Sequence, residues 1–143
     1  MRIVLVLLTM CFGLSAGAQT SGQMSLSSRA GGLAGVVGDI AGEWHGPGYA
    51  LLGNGERVFV QCRVSYDRQS DSVLAVRALC ATASVKLLQT GSISKVDDQR
   101  YIGTVRNEEH GMQGRVRIER QRDELVVHIA ADSGSARLVL RRR

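Results

Sequence analysis

Cys62 and Cys80 are the residues best suited by type and spacing to do chemistry, and that chemistry is oxidation to a disulfide. Both sit in the stretch Glu56–Ala81, which carries two apolar-alternating runs. In the first run Val58, Val60, Cys62, Val64 and Tyr66 share one face. Arg57, Gln61, Arg63 and Ser65 share the other, with Phe59 as the apolar exception. Period-two alternation of this length marks a strand with one face on a core. In the second run Leu74, Val76, Ala78 and Cys80 share a face, and the polar segment Asp67–Ser72 lies between the runs. A turn near Asp71 brings Cys62 opposite Cys80 in an antiparallel pair, both pointing inward and close enough to bond.

Other reactive side chains do not combine into a catalytic set. A hydrolase needs a nucleophile beside a base that a third group holds in place. Ser133 and Ser135 flank Gly134 in a turn-like segment without a nucleophile-elbow pattern. His45, His110 and His128 share no metal-ligand spacing. The adjacent pairs Asp97-Asp98 and Glu108-Glu109 suit solvated turns better than carboxylates facing each other across a cleft. The expectation is a protein that is not an enzyme and carries neither cofactor nor metal.

Arginine is the surface feature above background. Of the 18 basic residues all but Lys86 and Lys95 are arginine, and the formal net charge is +5. Arginine favours forked contacts to carboxylate or phosphate over diffuse charge. Arg115 and Arg117 share an outward face, Arg120 and Arg122 flank the next turn, and Arg141, Arg142 and Arg143 end the chain. Together they form a candidate patch for an acidic polysaccharide, a lipid phosphate or a protein partner. Glu119, Asp123 and Glu124 neutralise part of that field. Nucleic acid is excluded as a partner by the expected export and by the lack of a recognised binding motif.

The elements that must position these residues follow from the rest of the chain. Arg2, the apolar run Ile3–Leu14 and the small-x-small site Ala16-Gly17-Ala18 read as a signal peptide over residues 1–18. The apolar core is too short for a membrane span. Cys11 falls within it and is discarded on cleavage, so two cysteines enter an oxidising compartment, periplasmic or secreted. Residues 19–30, rich in serine and glutamine, form a disordered linker. In Gly31–Gly42, Leu33, Val36, Val37 and Ile40 sit at helical spacing among five glycines, which predicts a short helix or turn closing one end of the core.

From there the pattern is short strands and tight turns. Trp44–Leu52 is the first strand, interrupted at Gly46-Pro47-Gly48, where proline requires an edge or a bulge. Gly53-Asn54-Gly55 is a hairpin turn. After the cysteine-bearing pair come Ser84–Thr90, Ser92–Val96, Arg100–Arg106, Met112–Arg120, a run with Leu125, Val127, Ile129 and Ala131 inward, and a last strand with Ala136, Leu138 and Leu140 inward. The fold class is all-β: a small antiparallel up-and-down barrel of about eight strands, in a single domain over residues 31–143. Its core of Val, Leu and Ala leaves any cavity narrow or filled. Trp44 is the core anchor.

Gly42-Glu43-Trp44 resembles the glycine-x-tryptophan signature of the calycins, the lipocalin-like barrels. That resemblance implies a tryptophan at a closed barrel end beneath an arginine from a late strand, with Arg137 or Arg141 as candidates. Gly42-Glu43-Trp44-His45-Gly46-Pro47-Gly48, Glu56–Tyr66 and Arg106-Asn107-Glu108-Glu109-His110-Gly111 look like a family of small exported alphaproteobacterial proteins of unsettled activity. The chain is also similar in outline to the periplasmic protease inhibitors of calycin type, although Gln19–Arg29 is polar and featureless where those carry an inhibitory segment. The exported family implies compartment and fold rather than chemistry; with no catalytic constellation in the residues, the expectation is a non-catalytic envelope protein with a binding or structural role, or alternatively a calycin-type protease inhibitor or a small-ligand carrier.

The paired cysteines give the first prediction. Non-reducing peptide mapping should recover a Cys62–Cys80 linked pair, and two free thiols would refute it. Cys62→Ser should lower stability by about 2–4 kcal/mol, the usual range for losing a short-loop disulfide.

Overall fold

The computed structural model describes residues 39–143. The expected signal peptide, the linker and the apolar stretch through residue 38 lie outside the described residues. Eight strands follow one another in sequence: β1 (Gly42–Leu52), β2 (Arg57–Arg68), β3 (Val73–Ala81), β4 (Lys86–Lys95), β5 (Arg100–Asn107), β6 (Met112–Gln121), β7 (Glu124–Ala131) and β8 (Gly134–Arg142). Each pairs antiparallel with the next, and β8 pairs with β1, so the sheet closes into a barrel.

Closure is oblique. The register runs from Gly42 through Tyr66, Val76, Gly91, Val105, Gly114, Ala131 and Gly134, and returns to β1 at Leu52, ten residues beyond its start. A stagger of this kind requires the strands to tilt across the barrel axis, typically by about 35–45°. Bending so narrow a sheet brings neighbouring backbones close at its inward-facing glycines. A Cβ on Gly46 would overlap the carbonyl oxygen of Val139, and one on Gly91 would overlap that of Thr104. Glycine at these positions is what allows the wall to curve.

Two strands differ from the sequence expectation. β1 is not interrupted at Gly46-Pro47-Gly48, and Pro47 sits at neither an edge nor a bulge. Its register with β2 is unbroken from Gly42↔Tyr66 to Leu51↔Arg57. Toward β8 the paired residues stop at His45↔Arg141 and resume at Gly48↔Leu138 without a change of register. The ladder lapses where proline has no N–H to give. Likewise Ser84–Thr90 and Ser92–Val96 are one strand, β4, carried through Gly91. Of the predicted helix or turn over Gly31–Gly42, the part described before β1, Asp39–Ala41, is neither helix nor strand and leads into β1, with the Ala41 N–H donating to the Asp39 carboxylate at 2.9 Å.

Inward side chains of all eight strands form one core. Trp44, Tyr66, Leu74, Ile93, Tyr101, Ile118, Leu125 and Leu140 are all buried, several of them completely. Cys62 and Cys80 face one another across β2 and β3 with Cα atoms 4.1 Å apart, and their sulfurs are bonded. Tight turns connect the strands. In the one after β4, Asp97 accepts hydrogen bonds from the Gln99 and Arg100 backbone N–H groups, and its carboxylate pairs with the Arg100 side chain. These bonds, the one from Gln99 first, hold its pKa below the usual carboxylate range.

Burial pushes the Tyr66 hydroxyl pKa well above the ordinary tyrosine value, and burial raises that of Tyr101 in the same direction. The unfolded chain therefore ionises these phenols more easily than the fold does. Their contribution to stability is complete below about pH 10, the unfolded value, and is lost as pH rises above it. Denaturant midpoints measured from pH 8 to 11.5 should fall above about pH 10, and Tyr66→Phe should flatten that fall. An unchanged alkaline slope in the variant would contradict the assignment.

Candidate functional site

One end of the barrel is sealed. Asp39–Ala41 crosses it, and Ile40 is 0% exposed. The Trp44 indole N–H donates to the Ile40 carbonyl at 2.8 Å. Arg142 lies over the indole with its guanidinium carbon 4.7 Å from the ring centroid, and donates to the carbonyls of Ala41 (2.9 Å) and Asp39 (3.2 Å). Arg68 pairs with the Asp39 carboxylate. The arginine above the tryptophan is therefore Arg142, neither Arg137 nor Arg141. Register decides this: Trp44 lies opposite Arg142, and the odd-numbered arginines of β8 alternate outward. Cation–π contact and backbone hydrogen bonds make Arg142 a clamp on the lead-in segment.

The opposite end is shallower. Ala50, Val58, Leu87, Met112, Ile129 and Ala136 point inward there but are half-buried. Asn107, buried to 1% exposure, ties this end together. Its side-chain amide donates to the Leu88 carbonyl (2.9 Å) and its oxygen accepts from the His110 backbone N–H (2.7 Å). The β4–β5 register ends at Thr90↔Arg106, so this amide joins the two strands where the ladder has stopped. The strand expected over Arg100–Arg106 runs one residue further and ends on Asn107. The available signal was an amide, able to donate and accept at once, at the end of a strand.

No protein-family model and no curated protein matches the chain. Solved structures do. The barrel is similar to a redesigned beta barrel, mFAP1, bound to DFHBI, at 12% identity over 72% of this chain and 94% of that one, with a TM-score of 0.62. A second redesigned beta barrel, b11L5F_LGL, aligns at 12% identity over 73% and 91% with a TM-score of 0.60. EF1p2_mFAP2b bound to DFHBI aligns at 10% identity over 73% and 94%, also with a TM-score of 0.60. The likeness is one of fold.

The seven arginines singled out in sequence do not share a face. Arg115 and Arg117 project from the outer wall of β6. Arg120 falls on the inward parity of β6 near the sealed end, and its backbone N–H donates to the Gln99 carbonyl. Arg122 occupies the β6–β7 turn with φ of 54°. Arg141 is paired with Glu124 at 2.7 Å, Arg142 is committed to the clamp, and the Arg143 backbone N–H donates to the Glu43 carbonyl at 3.0 Å. Strand alternation and the lead-in segment divide the set.

What closure does assemble is a different outer row. Arg117 lies opposite His128, His128 opposite Arg137, Arg137 opposite Tyr49, and Tyr49 opposite Phe59. All five are exposed, Tyr49 to 47% and Phe59 to 53%. The Tyr49 and Phe59 rings meet edge to face at 5.6 Å, and the Arg57 guanidinium sits 4.0 Å from the Tyr49 ring centroid. His45 also faces outward, between Arg63 and Arg141, and His110 lies in the β5–β6 turn. Among the described residues no group of three or more His, Cys, Asp or Glu side chains could hold a metal ion.

Trp44→Ala should destabilise the fold by roughly 3–5 kcal/mol, as expected for removing a buried large aromatic side chain. Arg142→Ala should leave the barrel folded while shifting Trp44 emission to the red as water reaches the ring. An unchanged emission maximum in Arg142→Ala would show that the clamp does not seal this end.

Proposed function

We propose that the protein is an exported, non-catalytic binding protein of the bacterial envelope that meets its partner with the outside of its barrel. The observation that carries this reading is the contrast between the two faces of the wall. The inward core side chains, among them Trp44, Tyr66, Tyr101 and Leu140, are buried, while Tyr49, Leu51 and Phe59 stand in solvent on the outer face. Exposed aromatic and aliphatic residues beside arginines have the composition of interaction surfaces. A disulfide inside the barrel fits an oxidising compartment, and the resemblance to small exported proteins supports the same placement.

A small-ligand carrier is the second reading. It is favoured by the half-buried end around Ala50, Met112 and Ala136, and by the fact that a barrel of this fold, mFAP1, is bound to DFHBI. The interior of this chain argues against it, since Trp44, Tyr66 and Tyr101 occupy space that a carrier leaves to its ligand.

Titration with a fluorescent fatty-acid analogue, followed through Trp44 emission, separates the two readings. The exterior reading expects no saturable uptake and no change at Trp44. Stoichiometric uptake with quenching would replace it with the carrier. Near-stoichiometric suppression of a serine or metalloprotease would instead mark an inhibitor. Sequencing the mature N-terminus from a periplasmic fraction tests export, with cleavage expected before Gln19.

A further inference from the structure

We propose that the outer row Arg117–His128–Arg137–Tyr49–Phe59 is a docking track for an extended segment of a partner protein, acidic over β6–β8 and apolar over β1–β2. The proposal rests on the exterior-binding reading above and names the site and the chemistry of the partner.

Three observations carry it. First, Arg117 and Arg137 flank His128 in direct cross-strand opposition, with Arg115 two residues along β6. The ion pairs among the described residues engage Arg68, Lys95, Arg100, Arg106 and Arg141, so Arg115, Arg117 and Arg137 keep their guanidinium groups for an external acid. Forked guanidinium donors suit carboxylates.

Second, the row continues without a gap into apolar side chains. Tyr49 and Phe59 brace one another, Arg57 rests on Tyr49, and Leu51 follows on the same face at 49% exposure. An aromatic pair already ordered by its neighbours loses little freedom on binding, which is how an anchor contributes affinity.

Third, the row crosses the strands and so winds obliquely over the tilted wall. It crosses β6, β7, β8, β1 and β2, five neighbouring strands of the closed wall of eight. An extended chain can follow such a row from strand to strand. Four strand spacings of about 4.8 Å make the track roughly 19 Å long, the reach of about six extended residues. A closed wall has no free edge to pair with, so the segment is held by its side chains and binding is sensitive to salt.

The test uses two fluorescein-labelled hexapeptides, three glutamates joined to Leu-Phe-Leu in either order, with lysine-for-glutamate versions as controls. Anisotropy at about 0.01 M salt should show saturable binding of at least one acidic peptide, weakening several-fold by about 0.1 M as the screening length shortens to about 10 Å. The double variant Arg117→Glu/Arg137→Glu and the single variant Phe59→Ser should each weaken it by about tenfold while the protein stays folded, with the barrel far-UV spectrum retained and Phe59→Ser lowering the melting temperature by only a few degrees for the lost Tyr49 contact. Arg77→Glu, on the outer face of β3, should change it by less than about twofold. Failure of both acidic peptides to bind, equal binding of the lysine peptides, or an equal loss in Arg77→Glu would overturn the track. Arginine-dependent co-sedimentation with phosphatidylglycerol vesicles, without peptide binding, would also overturn it in favour of a lipid surface. Failure here without interior uptake of the fatty-acid analogue removes the track alone; interior uptake removes the exterior reading as well.

Discussion

Closure of β1 onto β8 is the constraint on which the rest of the molecule depends. It turns a run of hairpins into a wall with no free strand edge, and it does so with a ten-residue stagger. The demand falls on backbone approach more than on side chains. Gly46 and Gly91 sit where a neighbouring carbonyl occupies the space of a Cβ, so the wall curves there. Pro47 is tolerated in the middle of the barrel because its missing donor falls at a lapse in the β1–β8 ladder. The same closure brings Arg142 over Trp44 and seals one end with Ile40.

A closed wall separates two populations of side chains. The inward set is consumed by packing, with the disulfide and two buried tyrosines among it. The outward set carries most of the charged side chains, and arginine dominates its basic residues. Several arginines serve the fold: Arg68, Arg100 and Arg141 pair with nearby carboxylates, and Arg142, on the inward parity of β8, clamps the lead-in segment. The residues left over cluster because strands distant in the chain become neighbours, as β1 and β8 do.

Several features were legible in the sequence because they are local. Alternation placed the inward and outward faces of β2, β3, β6 and β7, and parity alone set Cys62 against Cys80 once a turn lay between them. Turn residues located most of the connections. Features that depend on a partner strand were not legible. The sequence reading broke β1 at Pro47 and β4 near Gly91, since proline and glycine are strand breakers unless a neighbour accommodates them.

The outer site shows the same division more sharply. The seven arginines were grouped by nearness in sequence, and Arg120, Arg141 and Arg142 leave that group because parity and local acids claim them. Arg137 and Tyr49 belong together although most of the described chain separates them, because β8 returns beside β1. The alternation of each strand, and therefore which side chains face out, is a property of the chain itself. Which outward side chains become neighbours is set by the register of closure, and register is fixed by backbone contacts between strands that no local pattern encodes.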